Sequence, residues 1–191
     1  MVVDRGVADD VTGFDPANVA AGATLVYLSA MPWAAVASML MGSPVPVIVG
    51  IEARQGPEFA AIGTPEAIAQ VLDHALVVLT NEAGADAVAR PLHRLAMATL
   101  VVTRGAAGAR LVIAGRPPVD VAAPAVKVLD ATGAGDCFAG ALCRFLAGGS
   151  PLEHAVRLAT VAASLSTEQA GAQAGFPNEL EVFARFRDDA G

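Results

Sequence analysis

The chemistry of this chain concentrates in Asp130-Ala131-Thr132-Gly133-Ala134-Gly135-Asp136-Cys137-Phe138-Ala139-Gly140. An apolar run ends at Leu129, glycines follow, and a helix-like pattern begins. Glycines let main-chain N–H groups approach a ligand with no side chain in the way. Exposed N–H groups and the positive end of a helix then favour an anion, most often phosphate. Asp136 falls in the first turn of that helix, where the ionised carboxylate a general base needs is favoured. An anion cradle beside a proton acceptor is what phosphoryl transfer to an alcohol requires.

Other readings of the same residues stay open. A glycine turn between strand and helix also serves dinucleotide folds, but Phe138 stands where the third glycine of that fingerprint belongs. No Gly-Lys-[Ser/Thr] follows the glycines, so the Walker pattern is absent. A purely structural turn, with Asp136 favouring the helix start, is the bland alternative. His74, His93 and His154 show no ligand spacing and read as structural. Cys137 and Cys143 are the only cysteines, which excludes a disulfide framework or a four-thiolate zinc site. A thiol at a helix start can be acidified, yet a small core residue is the favoured reading of Cys137. Trp33 reads as a packing residue, and Arg104 and Arg110 as solvated loop charges rather than phosphate ligands.

The elements that must position these residues follow from the apolar pattern. Continuous runs rich in Val, Leu and Ile at 24–29, 45–49, 75–80, 99–103, 110–114 and 126–129 predict strands covered on both faces. Helix starts are signalled by Asp15-Pro16 and Thr64-Pro65, and Ser150-Pro151-Leu152-Glu153 and Asn178-Glu179-Leu180-Glu181 read as capping boxes or their asparagine variant. After Asp130, helices are predicted over about 135–146, 151–167 and 178–186, with an Ala-Gly-rich hinge at 170–175. This alternation predicts a three-layer α/β/α fold on a mostly parallel sheet. The 191 residues fit one domain, and 54% hydrophobic content supplies a core. A net charge of −7 argues against nucleic-acid binding. No charged residue lies between Asp15 and Glu52, but Gly22, Pro32, Gly42, Pro44 and Pro46 break that stretch. It is therefore read as buried elements, not a membrane span. Met1-Val2-Val3-Asp4-Arg5 lacks the order of a signal peptide, so a cytoplasmic protein is expected.

Asp130 to Asp136 resembles the Asp-Thr-x-Gly-Ala-Gly-Asp signature of ribokinase-like (PfkB-type) carbohydrate kinases. Asp4-Arg5-Gly6-Val7-Ala8 resembles the family's Asp-Arg-Gly-Ala stretch after its lid. Val102-Thr103-Arg104-Gly105-Ala106-Ala107-Gly108 is similar to the turn that lies against the nucleotide, and Gly171-Ala172-Gln173 with Phe176-Pro177 to the segment closing the adenine pocket. The resemblance implies ATP-dependent transfer of the γ-phosphoryl group to a hydroxyl of a sugar or sugar-like substrate, with Mg²⁺. Asp136 would be the base, and Gly133, Ala134 and Gly135 the anion hole. Thr103, Gly105, Gly108, Thr160 and Gly171 would line the nucleotide site. Asp130 and Thr132 match where some members hold a monovalent cation such as K⁺.

The chain also departs from the family. Members run to about 300 residues, twice a typical domain, so these 191 residues read as one domain truncated at its N-terminus, lacking the lid and most sugar contacts. An uncovered sheet edge would suit a homodimer. The family's Asn-x-x-Glu reads Asn81-Glu82-Ala83-Gly84 here, which leaves Glu82 or Asp86 as a substitute magnesium contact. Gly50 stands where a strand commonly ends in Asp, with Glu52 two residues on. The alternative expectation is a catalytically impaired nucleotide-binding module or kinase fragment.

Overall fold

The computed structural model describes residues 15–29, 33–51, 70, 73–89 and 99–188. Asp4 to Ala8, Thr64-Pro65, Glu52 and His93 lie outside these residues. The chain divides into two compact units, residues 1–102 with 112–117 and residues 103–111 with 118–191.

Among the described residues of the first unit, a single helical turn, α1 (Pro16–Val19), comes first. Asp15 caps it by accepting from the Ala17 N–H at 3.0 Å, with Pro16 at the first helical position. Next come β1 (Val26–Ser29), α2 (Trp33–Gly42), β2 (Val47–Ile51), β3 (Val77–Asn81), α3 (Glu82–Ala89) and β4 (Leu100–Thr103). β1 pairs with β2 and β2 with β3, both parallel, and β4 lies beside β3. Every residue of β2 is buried, as a strand covered on both faces must be. Leu28, Val36, Met39, Val49, Ile51, Val78 and Leu100 close one core. α2 occupies the charge-free stretch and is ten residues long; no helix among the described residues is long and apolar enough to cross a membrane.

In the second unit, β5 (Ala109–Val112) pairs antiparallel with β6 (Val119–Val121). The helices are α4 (Ala134–Ala147), α5 (Leu152–Ser166) and α6 (Glu179–Asp188). α4 turns Cys137, Phe138, Leu142 and Phe145 inward. α5 buries Leu158 together with Ala155, Ala159 and Ala162, and the three alanines' small side chains allow close helix approach. α6 adds buried Val182 and a tilted ring contact, Phe183 against Phe145 with centroids 5.6 Å apart.

Two expectations from sequence need correction here. Residues 126–129 form no strand: the chain from Ala122 to Val128 has no ladder, and Val128 and Leu129 are 60% and 68% exposed. The strand lies upstream at β6, where Asp120 between two valines hid it from an apolar-run reading. Ser150-Pro151-Leu152-Glu153 is also no capping box. Pro151 holds the cap position without a side-chain bond, and Glu153 pairs with Arg157 at 2.8 Å. The Asn178 box does form. Its side-chain oxygen accepts from Leu180 and Glu181 N–H at 3.0 and 3.1 Å, and the Glu181 carboxylate accepts from Asn178 N–H at 2.7 Å.

Candidate active site

The site is built in the second unit from the loop before α4. Its upstream end hangs from the C-terminus of α5: Leu129 and Asp130 N–H both donate to the Thr167 carbonyl, at 2.7 and 3.1 Å. Asp130 then clips two loops together. One carboxylate oxygen accepts from Thr132 N–H at 2.9 Å and the other from Gly171 N–H at 2.8 Å. The Thr132 hydroxyl and these two amides hold the Asp130 carboxyl down to about 2.

That shift predicts an acid response with a definite sign. A depressed carboxyl stabilises the folded loop above its ordinary value of 3.8, and the contribution is lost as pH falls toward about 2. A carbon-13 titration of Asp130 should show a midpoint near 2, with the Gly171 amide shift following it. A midpoint near 4 would mean that the clip does not form.

Gly133 caps α4 in the left-handed region, at φ +81°, and no side chain closes that end. A Cβ there would run into the Ala172 carbonyl, so the position demands glycine. The first N–H groups of a helix have no intrahelical acceptor. Here the Ala134 N–H turns back to Ala131 at 3.2 Å, and Gly135 and Asp136 follow it in the first turn of the helix. The Asp136 side chain is exposed.

A cavity of about 610 Å³ lies beside this helix start, within the range that small-molecule sites occupy. Of the expected nucleotide residues, Thr103, Gly105, Gly108 and Thr160 line it, as do Ala134 and Gly135 of the expected anion hole. Gly133, Asp136 and Gly171 are not in its lining. Gly171 is instead the amide that binds Asp130. Gly108 sits at φ +88°, and a Cβ there would collide with the Val121 carbonyl. It closes the turn by accepting from Arg104 N–H at 2.8 Å.

Sequence reasoning missed other lining residues. Ser164 in α5 and Thr167 at its C-terminal cap line the cavity with Thr160, and their four- and seven-residue spacing from Thr160 was the signal available. Ala123, Pro124, Ala125 and Val126 form a further wall that no motif marks.

Arg104 and Arg110 converge on Asp120, at 2.8 Å and at 2.7 and 2.8 Å, as surface charges in partnership. The Arg110 hydrogen bonds, reinforced by both guanidinium charges, lower the Asp120 carboxyl. Cys137 is buried with its sulfur 3.5 Å from the Ala162 carbonyl, and burial raises its thiol. Burial also pushes the Cys143 thiol to about 11. His74 bonds the Gln70 carbonyl at 2.9 Å, and His154 stands edge-on to Phe186.

Glu82, the expected magnesium contact, is an exposed side chain of the first unit. Among the described residues no three His, Cys, Asp or Glu side chains converge as a metal would need. Asp130 and Thr132 do come together, but as the hydrogen-bonded clip; a monovalent cation would compete there with two N–H donors.

Solved structures define the class. The chain superimposes on the ribokinase from Thermotoga maritima with a TM-score of 0.73 and 23% identity, covering 92% of this chain and 60% of that one. For Arabidopsis thaliana ribokinase complexed with ribose and ATP the values are 0.74 and 25%, with 92% and 59% covered. The fold is therefore ribokinase-like, of α/β type on a mostly parallel sheet. Residues 59–179 match the pfkB family of carbohydrate kinases, and the chain belongs to that family. The bifunctional protein HldE of Pectobacterium carotovorum is 39% identical over 95 residues, half of this chain and a fifth of that protein. The chain thus spans about three fifths of the ribokinase structures, and its match a fifth of the HldE proteins.

Proposed function

We propose that the chain carries the phosphoryl-transfer half of an ATP-dependent carbohydrate kinase acting on a hydroxyl of a sugar or sugar-like substrate. The observation that carries this reading is the exposed Asp136 one residue beyond Ala134 and Gly135, which open α4 onto a cavity of nucleotide size. In the proposed step the Asp136 carboxylate accepts the proton of the acceptor hydroxyl. The hydroxyl oxygen bonds to the γ-phosphorus, the bond to the β–γ bridging oxygen breaks, and ADP leaves with that electron pair. The Gly133 and Gly135 amides, with Ala134 sharing its N–H between Ala131 and the phosphoryl group, and the positive end of α4 hold the developing charge. Magnesium supplies charge neutralisation as the complex with ATP; the described residues offer no carboxylate cage of their own.

A second reading, nucleotide binding without turnover, is favoured by Gly84 and Gly50. A Cβ at Gly84 would collide with the Thr80 hydroxyl, and one at Gly50 with the Tyr27 hydroxyl. Asn81 further fixes Gly84 by accepting its N–H at 2.7 Å. No side chain fits at either position without a rearrangement.

ADP release from the purified chain with Mg-ATP, in the presence of ribose, fructose or inosine, separates the two readings. A kinase releases ADP above the acceptor-free background with at least one acceptor. A binding module is stabilised by ATP, by roughly 2.7 kcal/mol at about 100 times Kd, and releases none. A chain whose melting ignores ATP would overturn both.

A further inference from the structure

The cavity wall at Ala123, Pro124, Ala125 and Val126 lacks most of what fixes a chain in place. β6 ends at Val121, and residues 122–128 join no strand. None of them is buried, so no side chain of the stretch is anchored in a core. Behind Ala123 and Pro124 lies a second cavity, of about 380 Å³, where packed side chains would otherwise back the wall. An exposed segment with few apolar contacts opens at low free-energy cost unless it is tied down. One tie comes from outside the cavity. Arg185, 60 residues away in sequence, donates from Nη2 to the Ala125 carbonyl at 2.5 Å. Such a charge-assisted bond is stronger than one between neutral groups. The helix that carries Arg185 is well seated: in α6 Val182 is buried, Phe183 meets Phe145 of α4, and Phe186 stands against His154 of α5 with centroids 5.2 Å apart. Downstream, the Lys127 N–H reaches the Glu168 carboxylate at 3.4 Å, a longer contact.

We infer that Arg185 is a positioning residue for nucleotide binding, acting by holding the Ala123–Val126 wall in place from α6. This inference rests on the nucleotide reading of the cavity. Arg185 is not among the lining residues, so its effect passes through the Ala125 carbonyl and not through a ligand contact. Without that bond the wall samples positions that do not fit the nucleotide. Apparent affinity then falls with the fraction of chains whose wall is in place.

Titration of N-methylanthraniloyl-ADP into the 191-residue chain, with amide hydrogen exchange measured in parallel, tests this. Arg185→Met keeps an apolar stem but no donor, and its Kd should rise about tenfold. Arg185→Lys returns a charged donor without the planar fork and should recover part of that loss. Arg187→Met removes the other basic residue from the last turn of α6, so it shares any effect on the helix end and should bind as the parent does. In Arg185→Met the Ala125 and Val126 amides should exchange faster, while those of α4 and α5 keep their parent rates. Unchanged affinity in Arg185→Met, no recovery in Arg185→Lys, an equal loss in Arg187→Met, or faster exchange throughout α4 and α5 would each overturn the inference alone. Failure of N-methylanthraniloyl-ADP to bind the parent chain would overturn the nucleotide reading, and this inference with it.

Discussion

Asp136→Asn should lower acceptor-dependent ADP formation by about 10²–10⁴, the range that a positioned general base contributes. The amide keeps the size and shape of the side chain but cannot take the hydroxyl proton. Asp136 is exposed, while the face that α4 turns inward starts at Cys137 and Phe138, so folding should not change. ATP should still raise the melting temperature of the variant as it does that of the parent chain. The paired readout matters, because turnover lost together with ATP stabilisation would point to a damaged loop instead of a missing base. A variant that keeps more than a tenth of the parent rate would remove Asp136 from the mechanism.

The largest structural effect should come from Gly133→Ala. A left-handed conformation costs an alanine about 1–2 kcal/mol, and the added Cβ meets the Ala172 carbonyl. Displacing packed backbone costs a further 1–3 kcal/mol or so. A loss of about 2–5 kcal/mol in a denaturant titration follows, with ATP stabilisation lost as the loop before α4 moves. Gly149→Ala supplies the control: φ is +83° there, but nothing lies within 4 Å of an added Cβ. It should show the conformational cost alone and leave ATP stabilisation intact. Equal losses in the two variants would mean that the Ala172 contact does not hold the loop.

The sequence made the site more legible than its surroundings. The family resemblance points to Thr103, Gly105, Gly108 and Thr160, and these line one cavity with Ala134 and Gly135. Such residues are visible because their types are needed for turns and charge stabilisation. Ala123, Ala125 and Val126 form another wall through shape alone, and small apolar residues carry no chemical signature. The parallel strands β1 to β3 were found within two residues at either end, because burial on both faces writes a continuous apolar run. The same rule failed at 126–129, where the run has no strand partner. β6 escaped it because a three-residue antiparallel strand with Asp120 turned to two arginines has no run to read. The Asn178 box succeeded where Ser150 failed because Glu181 reaches back to its cap residue, whereas Glu153 reaches forward to Arg157.

The burial of the two sulfurs has a redox consequence. Thiolate, not thiol, reacts with peroxides and electrophiles. With its thiol at about 11, Cys143 holds roughly one thiolate in 10⁴ at pH 7. Cys137, next to Asp136 in sequence, is shifted in the same direction. The helix start proposed for phosphoryl transfer thus keeps its adjacent sulfur chemically quiet, and oxidants acting on the folded chain meet no activated thiol among the described residues.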